Sequence, residues 1–213
     1  MMSDPFGNIF YFVLTLWLAS IWWRDIKART PDGQPGATPC KSWLAYSIAI
    51  AGTLFLLALE TAGEIQLGIA DEQSDVSALM LLAFVSGAIV EEFVFRGYLV
   101  VESRGNAMKW LSIFGFSLIF ALLHPYFWSY ENPPNADELS LVERAFAGTQ
   151  FHWTVKAVFT TSFIFVGSLW FYFVRFFKFN PTHSILVPIA AHLAKNLAVF
   201  LIKLAQGHVV SWF

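Results

Sequence analysis

The sequence predicts an all-α, polytopic membrane bundle of about six transmembrane helices. Of its 213 residues, 57% are hydrophobic and only 13% are charged, whereas soluble domains carry about 25% charged residues. Apolar runs of about 20 residues recur along the whole chain, which is the length needed to cross a hydrocarbon core of about 30 Å. Because backbone groups inside lipid must bond to each other, each of these runs should form a helix.

Six apolar runs give the predicted spans, at about 8–23, 42–61, 77–100, 109–128, 153–174 and 184–204. They form a single membrane domain. Residues 1–76 supply two accessory helices with their loops, 77–204 a four-helix core, and 205–213 a short tail. The turn-rich linker 30–40 is expected to be a loop, and a short surface helix is expected around 137–147.

The charges in the loops predict the orientation of the chain. One set of loops is basic and contains Arg24, Lys27, Arg29, Lys41, Arg104, Lys109, Arg175 and Lys178. The opposite set is acidic and contains Glu64, Asp71, Glu72, Asp75, Glu131, Asp137, Glu138 and Glu143. Since Lys and Arg are retained on the cytoplasmic side, the basic loops should be cytoplasmic and both termini outside. No Lys or Arg precedes the first span, which favours an uncleaved helix over a signal peptide.

Composition also excludes several kinds of site. Cys40 is the only cysteine, so no intrachain disulfide and no cysteine-based metal site can form. No basic patch is large enough for nucleic-acid binding. Glu60 is interpreted as an ordinary interfacial residue, and Lys203 is expected to extend its ammonium to the membrane surface.

The third predicted span contains three ionisable residues, although a charged side chain at a helix centre costs about 2.5–3.5 kcal/mol on insertion scales. Glu92 and Arg96 are four residues apart and share a helix face, so they can form an ion pair. Glu91 points about 100° away from Glu92 and can therefore face a cavity.

Two further spans contribute polar side chains at helical spacing. Phe120 and His124 are four residues apart in the fourth span, where Pro125 should end or kink the helix. His192 and Asn196 are four apart in the sixth. A single histidine or asparagine in a bundle is usually a structural hydrogen-bonding group. The combination of acids, imidazoles and a carboxamide on three spans favours a functional site.

These groups suit hydrolysis of an amide by an activated water. A carboxylate and an imidazole can polarise water as a general base, and a second imidazole with a carboxamide can hold a developing oxyanion. No serine or cysteine is placed as a nucleophile beside either histidine. Two histidines and a glutamate also match some catalytic zinc sites, but the H-E-x-x-H helix is absent. A divalent metal stays a minor alternative to a site with no cofactor.

Three motifs resemble the signatures of the CAAX protease and bacteriocin-processing family: Glu91-Glu92-x-x-x-Arg96, Phe120-x-x-x-His124 and His192-x-x-x-Asn196. The resemblance covers roughly 77–204. It implies a glutamate-type intramembrane endopeptidase related to the CAAX prenyl endopeptidases.

The resemblance also implies the roles of the motif residues. Glu91 would be the base and His124 would orient the water. His192 and Asn196 would stabilise the oxyanion, and the supporting residues Glu92, Arg96 and Phe120 would brace the site.

The expected partners are the lipid bilayer and a membrane-associated protein or peptide, cleaved near its end. The expected location is the plasma membrane of a prokaryote. Two other interpretations stay open. One is a non-catalytic chaperone or immunity protein, and the other is a transporter, proton relay or haem protein. The predicted span centres put His124 about 10 Å further out than Glu91, so one of the two helices must be shifted or tilted.

Overall fold

The computed structural model describes residues 5–28 and 36–212, which are mostly helical. Most of the predicted linker 30–40 lies outside the described residues. The seven α-helices are α1 (Pro5–Ala28), α2 (Trp43–Leu67), α3 (Met80–Glu91), α4 (Asn106–Leu123), α5 (Leu141–Gly148), α6 (Val155–Phe176) and α7 (Leu186–Ala205). A π-helical segment, Glu92–Tyr98, continues α3 without a break, and short 3₁₀ turns occur at Ala70–Glu72 and Ala136–Glu138.

The all-α membrane bundle predicted from the sequence is confirmed. Five of the described helices are long and apolar enough to cross a membrane: α1, α2, α4, α6 and α7. The third predicted span is divided between the 12 residues of α3 and the seven of the π-helical segment. The surface helix predicted around 137–147 is present as α5, whose Ser140 hydroxyl and Glu143 carboxylate form a capping box.

The helices pack into one bundle in which α7 contacts α2, α3 and α6, while α1 packs on α3 and α4 on α6. Local signals fix the helix ends. Ser42 caps the start of α2, Thr154 caps the start of α6, and Gly68 ends α2 in the left-handed conformation with φ 68°. Large apolar side chains such as Phe10 and Leu123 remain exposed on the outside of the bundle, as expected for surfaces that face lipid.

Two small sheets join the loops at one end of the bundle. β1 (Val76–Ser77) pairs in parallel with β4 (Val209–Ser211), and β2 (Trp128–Tyr130) pairs antiparallel with β3 (Thr149–Phe151). This end comprises 62–79, 124–155 and 205–212, and we call it the acidic face. The opposite end comprises 36–42, 99–105 and 177–185, and we call it the basic face.

Candidate active site

The polar residues of the third predicted span lie where α3 changes to π-helix. The backbone N–H of Leu99 bonds to Val94 O at 2.9 Å, five residues back, which is the π-helical pattern. Such segments often mark functional sites. This change could not be predicted, because seven residues are too few for a π period to be distinguished from an α period.

The ion pair predicted between Glu92 and Arg96 is present at the centre of the bundle. Arg96 Nη1 lies 3.2 Å from Glu92 Oε1, and both side chains are fully buried. Arg96 Nη2 also donates to the hydroxyl and the carbonyl oxygen of Ser168 on α6, at 2.8 and 3.1 Å. Its guanidinium lies over the rings of Phe120 and Tyr172, with centroids 4.7 and 4.9 Å away. Arg96 therefore ties α3, α4 and α6 together.

His192 lies between the two glutamates. Its Nδ1 donates to Glu92 Oε1 at 2.8 Å, and its Nε2 lies 3.9 Å from Glu91 Oε2. The ring stacks on Phe171 of α6 at a centroid distance of 4.8 Å. Because a carboxylate can only accept, the short contact assigns the proton on Nδ1 and points Nε2 at Glu91. The sequence predicts the pair of Glu92 with Arg96 but not this contact with α7.

His124 terminates α4, as Pro125 predicted. Its backbone is extended, with φ −77° and ψ 126°, because a proline disfavours the helical conformation in the residue before it. Its Nδ1 donates to Phe120 O at 2.8 Å. Since a carbonyl oxygen can only accept, Nε2 is the ring atom left to meet a ligand or water.

The predicted difference in depth between Glu91 and His124 is resolved by the register of α3 against α4. The rings of Phe95 and Phe120 meet edge to face, with centroids 4.9 Å apart. The two helices run in opposite directions. Glu91 lies four residues before Phe95 and His124 lies four residues after Phe120, so both lie at the same level, about 6 Å from the contact between the two rings. The fourth helix ends at Leu123 rather than near residue 128, so His124 caps the helix instead of lying inside it.

Asn196 lies one turn beyond His192 on α7. Its Nδ2 donates to Phe84 O of α3 at 2.9 Å. The amide has two N–H groups, so the second hydrogen is available to a ligand. Glu91, His124, His192 and Asn196 all line one cavity of about 960 Å³, which is in the size range of small-molecule sites. Glu91 and His124 share this cavity without a direct hydrogen bond between them in the described part of the chain.

One interpretation from the sequence is wrong. Glu60 is not an ordinary interfacial residue: its carboxylate pairs with Lys195 Nζ of α7 at 3.4 Å, and both line the cavity. Lys203 directs its ammonium to the loop at the acidic face, where it is buried and donates to Ser74 O at 2.7 Å. Lys195 follows His192 by three residues, and that spacing was the available signal that it shares the face of the site.

A metal was the minor alternative from the sequence. Within residues 5–28 and 36–212, no group of three or more His, Cys, Asp or Glu side chains is arranged to hold a metal ion. The Nδ1 atoms of both histidines bond to Glu92 and to Phe120 O, which leaves both Nε2 atoms free, as in metal-binding histidines. No step below runs through a metal.

The fold and the site define a helical membrane protein with a hydrolase-like cluster of acids, imidazoles and a carboxamide among its spans. The family model of the type II CAAX prenyl endopeptidase Rce1-like proteins matches residues 73–198. The chain belongs to this family and is a CAAX-type intramembrane protease in the general sense. No curated protein and no solved structure matches the chain.

Proposed function

We propose that the protein is a glutamate-type intramembrane endopeptidase that cleaves a membrane-associated protein or peptide near its end, in a prokaryotic plasma membrane. The observation that carries the proposal is the convergence of Glu91, His124, His192 and Asn196 on one cavity. The matched family supplies the peptidase class. The glutamate mechanism and the roles of the residues are inferred from the contacts described above.

Glu91 is the general base in this proposal. Its side chain is partly exposed to the cavity, unlike the buried Glu92, so water can reach it. Its carboxylate takes a proton from a water oriented by His124 Nε2, and the water oxygen bonds to the carbonyl carbon of the scissile amide. General-base catalysis of this kind contributes about 10²–10⁴-fold.

His192 and Asn196 stabilise the resulting oxyanion. His192 presents Nε2 to the oxyanion while Nδ1 stays bonded to Glu92. Asn196 donates its second amide hydrogen, since the first is held by Phe84 O. Collapse of the intermediate breaks the C–N bond, and Glu91 returns its proton to the leaving nitrogen. The products are a new carboxylic acid and a new amine, with no covalent enzyme intermediate.

The test compares Glu91→Gln with Glu72→Gln, a matched change to another acid that lines the same cavity. Terminal mass spectrometry of host membranes should show uncut polypeptides in Glu91→Gln cells and normal termini in Glu72→Gln cells. The same comparison supplies the substrate and its cleavage position. Unchanged termini in Glu91→Gln cells, with the variant inserted at normal abundance, would show that Glu91 is not the base and favour a non-catalytic binding protein.

A further inference from the structure

The cavity lies in the half of the bundle next to the acidic face. Its walls include helix residues close to that face: Asn8 of α1, Glu64 of α2, Lys156 of α6 and Lys203 of α7. Gln73 and Ser74, from the loop between α2 and α3, also line it. Lys156 Nζ approaches Ile69 O of the same loop at 3.5 Å. These residues place the mouth of the cavity at the acidic face.

The bundle is closed on the other side of the catalytic cluster. Arg96 is fully buried there, and Arg175 of α6 donates to its carbonyl oxygen. The Tyr172 hydroxyl donates to Phe95 O and Leu99 O at 2.6 and 2.8 Å. The buried Asn180 amide donates to three backbone carbonyls. Side chains and backbone therefore fill the space between the cluster and the basic face.

The charges at the two faces differ strongly. The basic face and the adjoining helix ends hold Lys41, Arg104, Lys109, Arg175 and Lys178, with Glu102 as the acidic residue. The acidic face and the adjoining helix ends hold Glu64, Asp71, Glu72, Asp75, Glu131, Asp137, Glu138 and Glu143, with Arg144, Lys156 and Lys203 as the basic residues. Because short loops rich in Lys and Arg stay in the cytoplasm, the acidic face should be the outer one.

We infer that the catalytic cavity opens to the outer surface of the membrane, and that the enzyme cleaves exported polypeptide segments presented from that side. Only the cleavage itself rests on the proposed function, because the direction of opening follows from the lining of the cavity and the charges at the two faces. A cytoplasmic polypeptide tail would meet the closed side of the bundle. An extended peptide from outside would pass the mixed charges of Glu64, Lys156 and Lys203 before reaching Glu91.

Single-cysteine labelling tests this direction. Cys40 is the only native cysteine, so Cys40→Ser provides the background. Val199→Cys reports the cavity wall, and Ser74→Cys reports its mouth. Arg104→Cys, in the exposed loop of the basic face, is the matched control. Intact cells are treated with a membrane-impermeant maleimide, and permeabilised cells show the total reactive thiol.

We expect the Val199→Cys and Ser74→Cys variants to be labelled in intact cells, and Arg104→Cys only after permeabilisation. Labelling of Val199→Cys only in permeabilised cells would overturn the inference. It would also be overturned if Val199→Cys stayed unlabelled in intact cells in which Ser74→Cys reacts. Adding Glu91→Gln should leave the labelling pattern unchanged. An inward-opening cavity would therefore refute this inference alone, whereas retained cleavage in Glu91→Gln would refute the proposed function alone.

Discussion

Glu92 Oε1 accepts a hydrogen bond from His192 Nδ1 at 2.8 Å and also faces Arg96 Nη1 at 3.2 Å. One carboxylate thus orients an imidazole of α7 and neutralises a buried guanidinium of its own segment. Such a contact fixes which ring nitrogen carries the proton. In the proposed mechanism, Glu92 therefore acts through His192 as a positioning residue.

Glu92→Gln should lower both stability and turnover. The variant keeps the size of the side chain but leaves Arg96 buried without a counter-charge, which typically costs about 3–5 kcal/mol. Turnover should fall by roughly 10²-fold or more, because His192 loses the anion that orients it. Thermal unfolding in detergent and kcat on the substrate found by terminal mass spectrometry measure the two effects.

Glu102→Gln is the matched control for that change. Glu102 also pairs with an arginine, Arg175, at 3.3 Å, but its side chain is 43% exposed. Exposed pairs contribute about 0–1 kcal/mol. Equal destabilisation by Glu92→Gln and Glu102→Gln would contradict a special role for the buried pair.

Asn196→Ala tests the oxyanion donor. Loss of one such donor lowers kcat by roughly 10²–10³-fold, so kcat should fall by that amount while KM changes little. The lost bond to Phe84 O should cost only about 1 kcal/mol of stability. A change confined to KM would assign Asn196 to substrate binding instead.

Pro125→Ala tests the position of His124. Without the proline, the residue before it is free to adopt the helical conformation, so α4 should continue and turn the imidazole away from Glu91. We expect kcat to fall by more than tenfold while the unfolding temperature stays close to that of the wild type. Pro134→Ala, in the exposed loop of the acidic face, should change neither value. Full activity in Pro125→Ala would show that the neighbouring residues alone hold His124.

A pair of glycines tests the close packing of α2 against α6. A Cβ added at Gly52 would overlap the Trp170 ring, which is held by hydrogen bonds to Ala49 O and Thr53 Oγ1. Gly52→Ala should therefore cost about 1–3 kcal/mol. Gly115→Ala, in α4, meets open space and should cause no loss. The unfolding temperatures of the two variants measure this difference. A Gly52→Ala variant as stable as Gly115→Ala would refute the tight contact between Gly52 and Trp170.

Apolar length and proline chemistry made much of the fold predictable. The runs around 42–61 and 184–204 correspond to α2 and α7, because lipid requires helices of that length. Pro125 correctly predicted the end of α4. The motif spacing also identified which side chains meet in the cavity, since residues four apart share a helix face.

Contacts between helices were beyond the sequence. Glu60 and Lys195 are 135 positions apart and pair only because α2 packs on α7. Nothing local in the sequence indicates that Ser74 O accepts the ammonium group of Lys203. The contact of Glu92 with His192 depends on the position of α7 beside α3 in the same way.

The late position of α7 in the chain has a consequence for biosynthesis. α7 carries His192 and Asn196, and the strand that follows it, β4, pairs with β1 at the rim of the cavity. During translation these elements leave the ribosome after α1 to α6. In the proposed mechanism, a nascent chain therefore holds Glu91 and His124 without His192 and Asn196 until α7 has inserted.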